Sequence, residues 1–326
     1  MSLTFLELLS KKLDICSYKD SQFCCYLTYK TMNTSLKHLS PGQQRSLQRV
    51  ISIIVRAIQP EKILLFGVHG SLHGGANGSN TSSAGLSTES LPPVLGAYDL
   101  LVIGREGDRR SDYELQDLIE NRCREAAPVT VLVHDIGYVN RRLGEGQYFF
   151  YSVIREGVLL YDTGKSPFVS VKAPDWEKVR SLAGRDYERW GQQAGAFYHS
   201  AEFNYTRGED RAAIFLLHQA AEQIYQAILL AFTGYKPTTH NLDKLRRYTN
   251  RFSLELALVF PRDNEQEDDL FRLLLAGYVD ARYKEDFTIT REELGILLTR
   301  VGRLLAIAER ICANHFVMLE KKAAEE

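Results

Sequence analysis

Two apolar segments, Ile63-Leu64-Leu65-Phe66-Gly67 and Ala97-Tyr98-Asp99-Leu100-Leu101-Val102-Ile103-Gly104, decide the fold of the first half of the chain. Both have the length and composition of buried strands. A glycine at the end of the first strand lets the backbone approach a phosphate closely, and acids at alternate positions of the second would hold magnesium from one face. Only Asp99 is acidic, because Ala97 stands two residues earlier. The pair predicts a phosphate-handling site that lacks half of its metal ligands.

Strands and helices alternate around these two segments. Ser40-Pro41-Gly42-Gln43 is a capping box with proline at the first helical position, and it opens an amphipathic helix that ends before Pro60. Further strands are predicted at Val129–His134 and Val158–Tyr161, and further helices after Ser111 and near Gln147–Arg155. The first half is therefore predicted to be an α/β (α+β) domain with a small mixed sheet.

The connection between the two segments, His69 to Leu95, is long and rich in glycine and serine. Connections of this length without secondary structure are usually functional or disordered. A nucleotide-covering loop is one reading, with Gly67, Gly70, Ser71 and Asp99 as the nucleotide-binding residues. The favoured reading is a relaxed insertion, because Gly70-Ser71 lies further from the first strand than the glycine of a functional site would.

Asp99 is also the one predicted metal ligand. Two-metal transfer needs carboxylates that hold cations about 3.5–4 Å apart, so the loss of one bridging acid should largely abolish catalysis. The strand at Val129–His134 offers Thr130, and an acid only beyond its end, at Asp135. We expect at most weak Mg²⁺ binding at Asp99, and a helix-cap or solvated strand-end role for Asp99 carries comparable weight.

The second half of the chain is predicted to be almost wholly helical. Residues 1–39 form an N-terminal extension, 40–164 the first domain, 165–174 a proline-containing linker, 175–320 an all-α antiparallel helical bundle and 321–326 a tail. The predicted helices cover Trp176–Asn204, a stripe from Ile214 to Phe232 that stops at Gly234, a third stripe from Phe271 to Arg282, and a last helix opened by the capping box at Thr290. The apolar stripe of that last helix serves either the core or a homodimer interface.

Two residues on the apolar stripes of this bundle are polar, His218 and Arg282. Helical spacing points both side chains toward neighbouring helices, and a buried guanidinium needs a partner, for which Glu222 and Asp280 are the choices within the bundle. One reading is a structural ion pair that fixes helix register. The other is an anion or phosphate site that includes His218, His240, Arg282 and Lys284.

Composition sets ordinary bounds for the chain. It has 326 residues, 44% of them hydrophobic and 25% charged, with a formal net charge of -1. Nucleic acid is not indicated by this charge, although local basic patches remain open. No apolar run approaches a membrane span, no secretory leader is evident, and five cysteines without CxxC spacing favour reduced thiols. We expect a cytoplasmic protein.

The motifs resemble two known families. Phe66-Gly67-Val68 and Ala97-Tyr98-Asp99 are similar to degenerate forms of the Phe-Gly-Ser and Asp-x-Asp motifs of minimal nucleotidyltransferases, over residues 45–164. The helical half resembles a HEPN domain of bacterial type. That second resemblance rests on three segments: Leu217-His218-Gln219-Ala220-Ala221-Glu222, Thr239-His240-Asn241-Leu242 and Tyr278-Val279-Asp280-Ala281-Arg282-Tyr283.

These resemblances imply the candidate functions. Many HEPN proteins are ribonucleases that use Arg-x(4–6)-His, but no histidine follows Arg282 before Arg291, which implies the non-nuclease type. The leading hypothesis is a module that binds a nucleotide or another phosphate-bearing ligand and has no transfer activity. The alternatives are an active Mg²⁺-dependent nucleotidyltransferase with an atypical site at Asp99, and a non-enzymatic partner-binding protein of a toxin–antitoxin or mobile-element system.

Overall fold

The computed structural model describes residues 32–69 and 97–325, without the side chain of His69. Four strands lie in the first half: β1 (Lys62–His69), β2 (Ala97–Gly104), β3 (Val129–Asp135) and β4 (Val158–Asp162). The helices of the first half are α1 (Pro41–Ile58), α2 (Asp112–Cys123), α3 (Ile136–Gly144) and α4 (Tyr148–Glu156). Those of the second half are α5 (Trp176–Thr206), α6 (Asp210–Thr233), α7 (Leu242–Asn250), α8 (Leu254–Ala257), α9 (Glu265–Ala276), α10 (Asp280–Tyr283) and α11 (Arg291–Ala324).

The four strands form one mixed sheet, as predicted, and their order in the sheet is β3-β2-β1-β4. Strand β1 pairs antiparallel with β2 and with β4, whereas β2 pairs parallel with β3. The register places Gly67 opposite Asp99 and Asp99 opposite Thr130. A bulge between Leu65 and Gly67 interrupts the β1–β2 ladder at this point.

The two faces of the sheet pack against different layers. Tyr98, Leu100 and Val102 of β2 face one core, which α1 and α2 cover. Leu101 and Ile103 point the other way into a second core, which continues through α3 and α4 into the helical half. Because side chains alternate along a strand, Asp99 lies on this second face. The face that carries the predicted site is therefore the face on which the bundle packs.

The helical half is a bundle around α5, α6 and α11, with α6 at its centre. Gly234 ends α6 in the left-handed conformation, with φ of 60°, and Thr290 caps α11 through its predicted capping box. Three helices that the periodicity did not predict are α3, α7 and the short α8. A search of the described residues finds no helix with the length and apolar character of a membrane span.

The third predicted stripe, from Phe271 to Arg282, is not one helix. Helix α9 ends at Ala276, and Arg282 lies on the separate short helix α10. At Gly277 the chain passes so close to α6 that a Cβ atom would lie 2.9 Å from the carbonyl oxygen of Ile214. The prediction that helical spacing carries through to Arg282 is wrong, because the chain turns at this glycine.

Order also begins before the predicted start at Ser40, inside the predicted extension. Asn33 forms a parallel bridge with Val158 of β4, and Leu39 is buried in the core beneath α1. The linker at 165–174 is not helical, but it is packed: Phe168 is buried, and Asn140 of α3 exchanges hydrogen bonds with the backbone of Pro167 and Val169. Both segments therefore belong to the packed structure.

Candidate functional site between the two halves

Asp99 lies on the face of the sheet that meets the helical half and is only 1% exposed. Its neighbour across the β1–β2 ladder is Gly67, where a Cβ atom would lie 2.5 Å from the Asp99 carboxylate oxygen Oδ2. No side chain fits at Gly67 unless this carboxylate moves. The glycine of the first motif thus makes room for the aspartate of the second.

A cation from the helical half lies next to this carboxylate. The guanidinium of Arg251, at the C-terminal cap of α7, is 3.8 Å from Oδ2 of Asp99. It also lies 4.9 Å from the ring centres of Phe66 and of Phe252. Burial lowers the pKa of Arg251, and the negative charge of Asp99 opposes that shift. Arg251 is therefore a desolvated cation at the position where the family resemblance implies a metal.

Helix α7 places Arg251 through a row of polar contacts with the sheet half. Lys244 pairs with Asp117 at 2.6 Å, Arg247 pairs with Glu120 at 3.3 Å, and the hydroxyl of Tyr248 donates to a carbonyl of β3. The helix starts where Asn241 caps it by accepting from the backbone N–H of Lys244. Residues 244, 247 and 251 share one face of a helix at 3.6 residues per turn. This spacing predicts only a basic face; that an acidic surface covers it is visible in the structure alone.

A cavity of about 370 Å³ opens beside Arg251, within the size range of small-molecule sites. Its walls come from β1, α4, the end of α6 and the segment after α7. They carry five aromatic rings, three polar side chains and the Arg251 guanidinium: Phe66, Tyr148, Phe149, Phe232, Phe252, Ser152, Glu156, Thr233 and Arg251. Both halves of the chain contribute to this lining.

These residues do not fit a magnesium ion at Asp99. The carboxylate is buried, a guanidinium lies next to it, and a second cation there would be repelled. The residues that flank Asp99 on its face are Ala97 on β2 and Thr130 on β3, neither of which is acidic. Across the described ranges, no group of three or more His, Cys, Asp or Glu side chains is arranged to hold a metal. Gly70 and Ser71, predicted to bind nucleotide, lie outside the described residues.

The structure divides the predicted anion site of the helical half into two parts. The first part is centred on two buried residues, His218 and Glu222, with the exposed His240 at its edge. His218 is 3% exposed, and its Nδ1 lies 3.0 Å from the carbonyl oxygen of Leu274. Glu222 lies between two histidines, with Oε1 2.8 Å from Nδ1 of His240 and Oε2 3.8 Å from Nε2 of His218. Burial lowers the pKa of His218, which favours its neutral form. The carboxylate at the centre makes this group unsuited to an anion.

The second part is at the surface. Arg282 is exposed, which contradicts the prediction that it is buried or half-buried. Its guanidinium lies 4.6–4.9 Å from the ring centres of Phe215, Tyr278 and Tyr283, and its Nε donates to the carbonyl of Tyr278. The predicted partner acids are both engaged elsewhere: Asp280 pairs with Lys284 at 2.9 Å, and Glu222 contacts the histidines. Arg282 has no acidic partner within 4 Å in the described part of the chain.

The Arg-x(4–6)-His spacing, which is missing after Arg282, does occur elsewhere in the sequence. Arg211 and His218 are separated by six residues, and Arg310 and His315 by four. Arg211 donates to backbone carbonyls of the segment 281–287, and Arg310 pairs with Glu255. His315 stacks on Phe232, with ring centres 4.2 Å apart. A residue five positions along a helix is rotated by about 140°, so Arg310 and His315 do not converge on one site.

Comparison with known proteins supports one of the two resemblances. A family model for the HEPN domain matches residues 187–311, which confirms the predicted HEPN domain in the helical half. The curated proteins searched contain no match to this sequence. The resemblance of the sheet half to nucleotidyltransferases therefore rests on its sequence motifs alone.

Proposed function

We propose that this protein binds a nucleotide in the cavity between its two halves and has no transfer activity. In this proposal the sheet half is a degenerate nucleotidyltransferase-like domain, and the helical half is a HEPN domain of the non-nuclease type. The observation that carries it is Arg251. A guanidinium has five N–H donors, yet Arg251 donates no hydrogen bond to any described residue, and its side chain is 17% exposed beside the cavity.

The chemistry of the lining supports a ligand with an aromatic ring and a phosphate. Planar guanidinium groups bind phosphate oxygens bidentately, and unmade hydrogen bonds at a desolvated cation are costly. Aromatic rings stack on bases, with about 1–3 kcal/mol per stacked base. Glu156 and Ser152 supply acceptors for the amino groups of a base. A nucleotide whose phosphate contacts Arg251 and whose base lies among the aromatic rings would meet both requirements, the hydrogen bonds of the guanidinium and the stacking of the base.

The test is calorimetric titration of the full chain with ATP, ADP and adenosine, each with and without Mg²⁺. We expect binding without magnesium and a loss of at least tenfold in affinity for ATP in Arg251→Lys, which keeps the charge but loses the planar fork. Arg247→Lys is the matched control, since it lies on the same helix face but outside the cavity lining, and should bind like wild type. Equal affinity in all three proteins would contradict the cavity as the site.

A transfer assay separates the proposal from its first alternative. Purified protein incubated with labelled nucleotide and Mg²⁺ or Mn²⁺ should label neither itself nor added RNA, because among the described residues Asp99 is the one acid on its part of the sheet face. Labelling that disappears in Asp99→Ala would favour an active nucleotidyltransferase. Absence of both labelling and ligand binding would favour the interaction protein of a toxin–antitoxin or mobile-element system.

The proposed non-nuclease character of the helical half has its own test. Neither Arg211 with His218 nor Arg310 with His315 forms an open site with an acid and a base. Expression of the protein should therefore leave cellular RNA intact. Cleavage that is lost in His315→Ala or Arg310→Ala would instead show that the pair works across a dimer of this chain.

Arg282 is a second candidate anion site, favoured by its exposure among three rings without an acidic partner within 4 Å in the described residues. The guanidinium of Arg282 uses its Nε to donate a hydrogen bond to the carbonyl of Tyr278. A phosphate group at this surface would contact the remaining N–H groups. The probe that tests this site is inorganic phosphate, through its effect on the melting temperature of the protein and of Arg282→Met.

A further inference from the structure

Helix α1 carries a row of arginines on its outer face, none of which lines either candidate site. Arg45, Arg49 and Arg56 are spaced i, i+4 and i+11, which places them within about 40° of arc and over roughly 16 Å of helix. Arg122, near the end of α2, lies beside them along a groove of about 630 Å³. We call these four arginines the α1 stripe.

The charges of the α1 stripe are not neutralised by the protein. All four side chains are exposed, and none makes an ion pair or a hydrogen bond with another described residue. Helix α1 contains no acidic residue, and Glu125 is the single acid in the lining of the groove. This contrasts with α7, where Lys244 and Arg247 pair with acids of the sheet half. A row of like charges held at this spacing without counter-charges is unfavourable unless a polyanion covers it.

We propose that the α1 stripe binds the phosphate backbone of a nucleic acid, independently of sequence. All four cations are arginines, whose planar fork matches phosphate oxygens. Arg45 and Arg49 are about 6 Å apart along the helix axis, and Arg49 and Arg56 about 10 Å, so successive phosphates of a strand can be contacted. The lining of the groove has no aromatic ring for base stacking. Backbone contacts therefore account for the whole of this binding.

Other polyanionic surfaces fit the α1 stripe less well. An anionic membrane would require an apolar face to insert, but the apolar face of α1 is buried against the sheet through Leu47, Val50, Ile51 and Ile54. A protein partner would require buried aromatic or aliphatic anchors at its centre, and the groove contributes only Ile53 and Ala126 as apolar side chains. Nucleic acid needs neither of these features.

The test is fluorescence anisotropy with two labelled probes, a 20-base-pair DNA duplex and a 20-nucleotide RNA, between 25 and 200 mM KCl. Four phosphate contacts predict a slope of log K against log salt of about -3.6 for the duplex and about -2.8 for the single strand. The variant Arg45→Gln/Arg49→Gln should bind more weakly, with the slope reduced by about 2 units. Its melting temperature should equal that of wild type, since both side chains are exposed.

The matched control is Arg185→Gln/Arg189→Gln, which removes two exposed arginines at the same spacing from α5 and changes the net charge equally. This control should keep wild-type affinity and slope. The proposal is overturned by no binding of either probe at 25 mM KCl, by equal losses in both double variants, or by binding of polyglutamate or phosphatidylserine vesicles in preference to both probes.

Discussion

Arg251 and Arg282 have similar neighbours and different positions in the molecule. Each guanidinium lies within 5 Å of aromatic ring centres, two for Arg251 and three for Arg282. Arg251 is mostly buried between the halves and lies 3.8 Å from a carboxylate, whereas Arg282 is exposed and has none within 4 Å among the described residues. From this difference we expect burial and an anionic neighbour, rather than the residue type or its aromatic neighbours, to decide how much each cation contributes to stability.

The largest effect is therefore expected at Arg251. Arg251→Met removes the cation from a carboxylate that is 1% exposed, and the loss of one partner of a buried pair typically costs about 3–5 kcal/mol. We expect the free energy of unfolding to fall by about 3 kcal/mol, measured by urea denaturation.

A double-mutant cycle isolates the contribution of the ion pair. Asp99→Asn in the Arg251→Met background replaces the charge by a neutral amide, so the double variant should be more stable than the sum of the single changes by more than about 1 kcal/mol. Additive effects would mean that Arg251 stabilises the protein through its contacts with Phe66 and Phe252 alone.

The second effect concerns the space beside the same carboxylate. Gly67→Ala places a Cβ atom 2.5 Å from Oδ2 of Asp99, and the neighbouring Arg251 restricts the movement of that carboxylate. We expect a loss of about 2 kcal/mol, typical of overpacking in a core. Gly184→Ala, on the helix α5 with no atom within 4 Å of the new Cβ, should instead be neutral or stabilising. Relief of the Gly67→Ala defect by Asp99→Ala would assign the cost to this contact.

The sequence predicts the strands around Asp99 well because their apolar runs are a local signal. The segments at 63–66, 98–103, 129–134 and 158–161 all fall within observed strands. Arg251 leaves no such signal, since it is 152 positions from Asp99 in the chain and the two meet only when the halves pack. A basic face on residues 244–251 is readable from the sequence, but the acids that it meets are on α2.

The prediction of one helical stripe from Phe271 to Arg282 was wrong for a local reason. The helical periodicity from Phe271 extends through Gly277, but α9 ends at Ala276 and residues 277–279 form a turn before α10. A glycine within a predicted stripe is a signal for such a break. Arg282 could be placed on a separate helix, α10, only if this break was recognised. The i, i+4 spacing of His218 and Glu222 is a sequence signal for their proximity, whereas the contact of Glu222 with His240 follows from tertiary packing.

The third effect concerns the pH dependence of stability and His315, a half-buried histidine that stacks on Phe232 of the cavity lining. Burial lowers the pKa of His315 from 6.5 to about 4, so the folded protein keeps this ring neutral at a pH where the unfolded chain protonates it. The unfolded state then binds more protons, and stability falls as the pH decreases from about 6.5 toward 4. After allowance for the partial exposure of the ring, we expect roughly 1 kcal/mol of this loss between pH 7 and pH 5.

The variant His315→Phe keeps a ring stacked on Phe232 and removes the titration, so its stability should depend less on pH over this range than that of wild type. His199→Phe is the control for exchanging a histidine for phenylalanine at an exposed position, since the His199 side chain is 78% exposed. An identical slope in wild type and His315→Phe would contradict a depressed pKa at His315.

The smallest effect on stability is expected at Arg282, and there a ligand provides the sharper measurement. Arg282→Met should reduce the free energy of unfolding by less than about 1 kcal/mol, because exposed cation–π contacts contribute little each. If Arg282 binds anions, inorganic phosphate should raise the melting temperature of the protein and lose that effect in Arg282→Met. The comparison is made in an Arg251→Lys background to reduce the contribution of the cavity, with Lys284→Met as the matched control for a paired surface cation. A phosphate effect that survives Arg282→Met undiminished in this background would leave Arg282 as a packing residue, and would place the anion binding at another site of the protein.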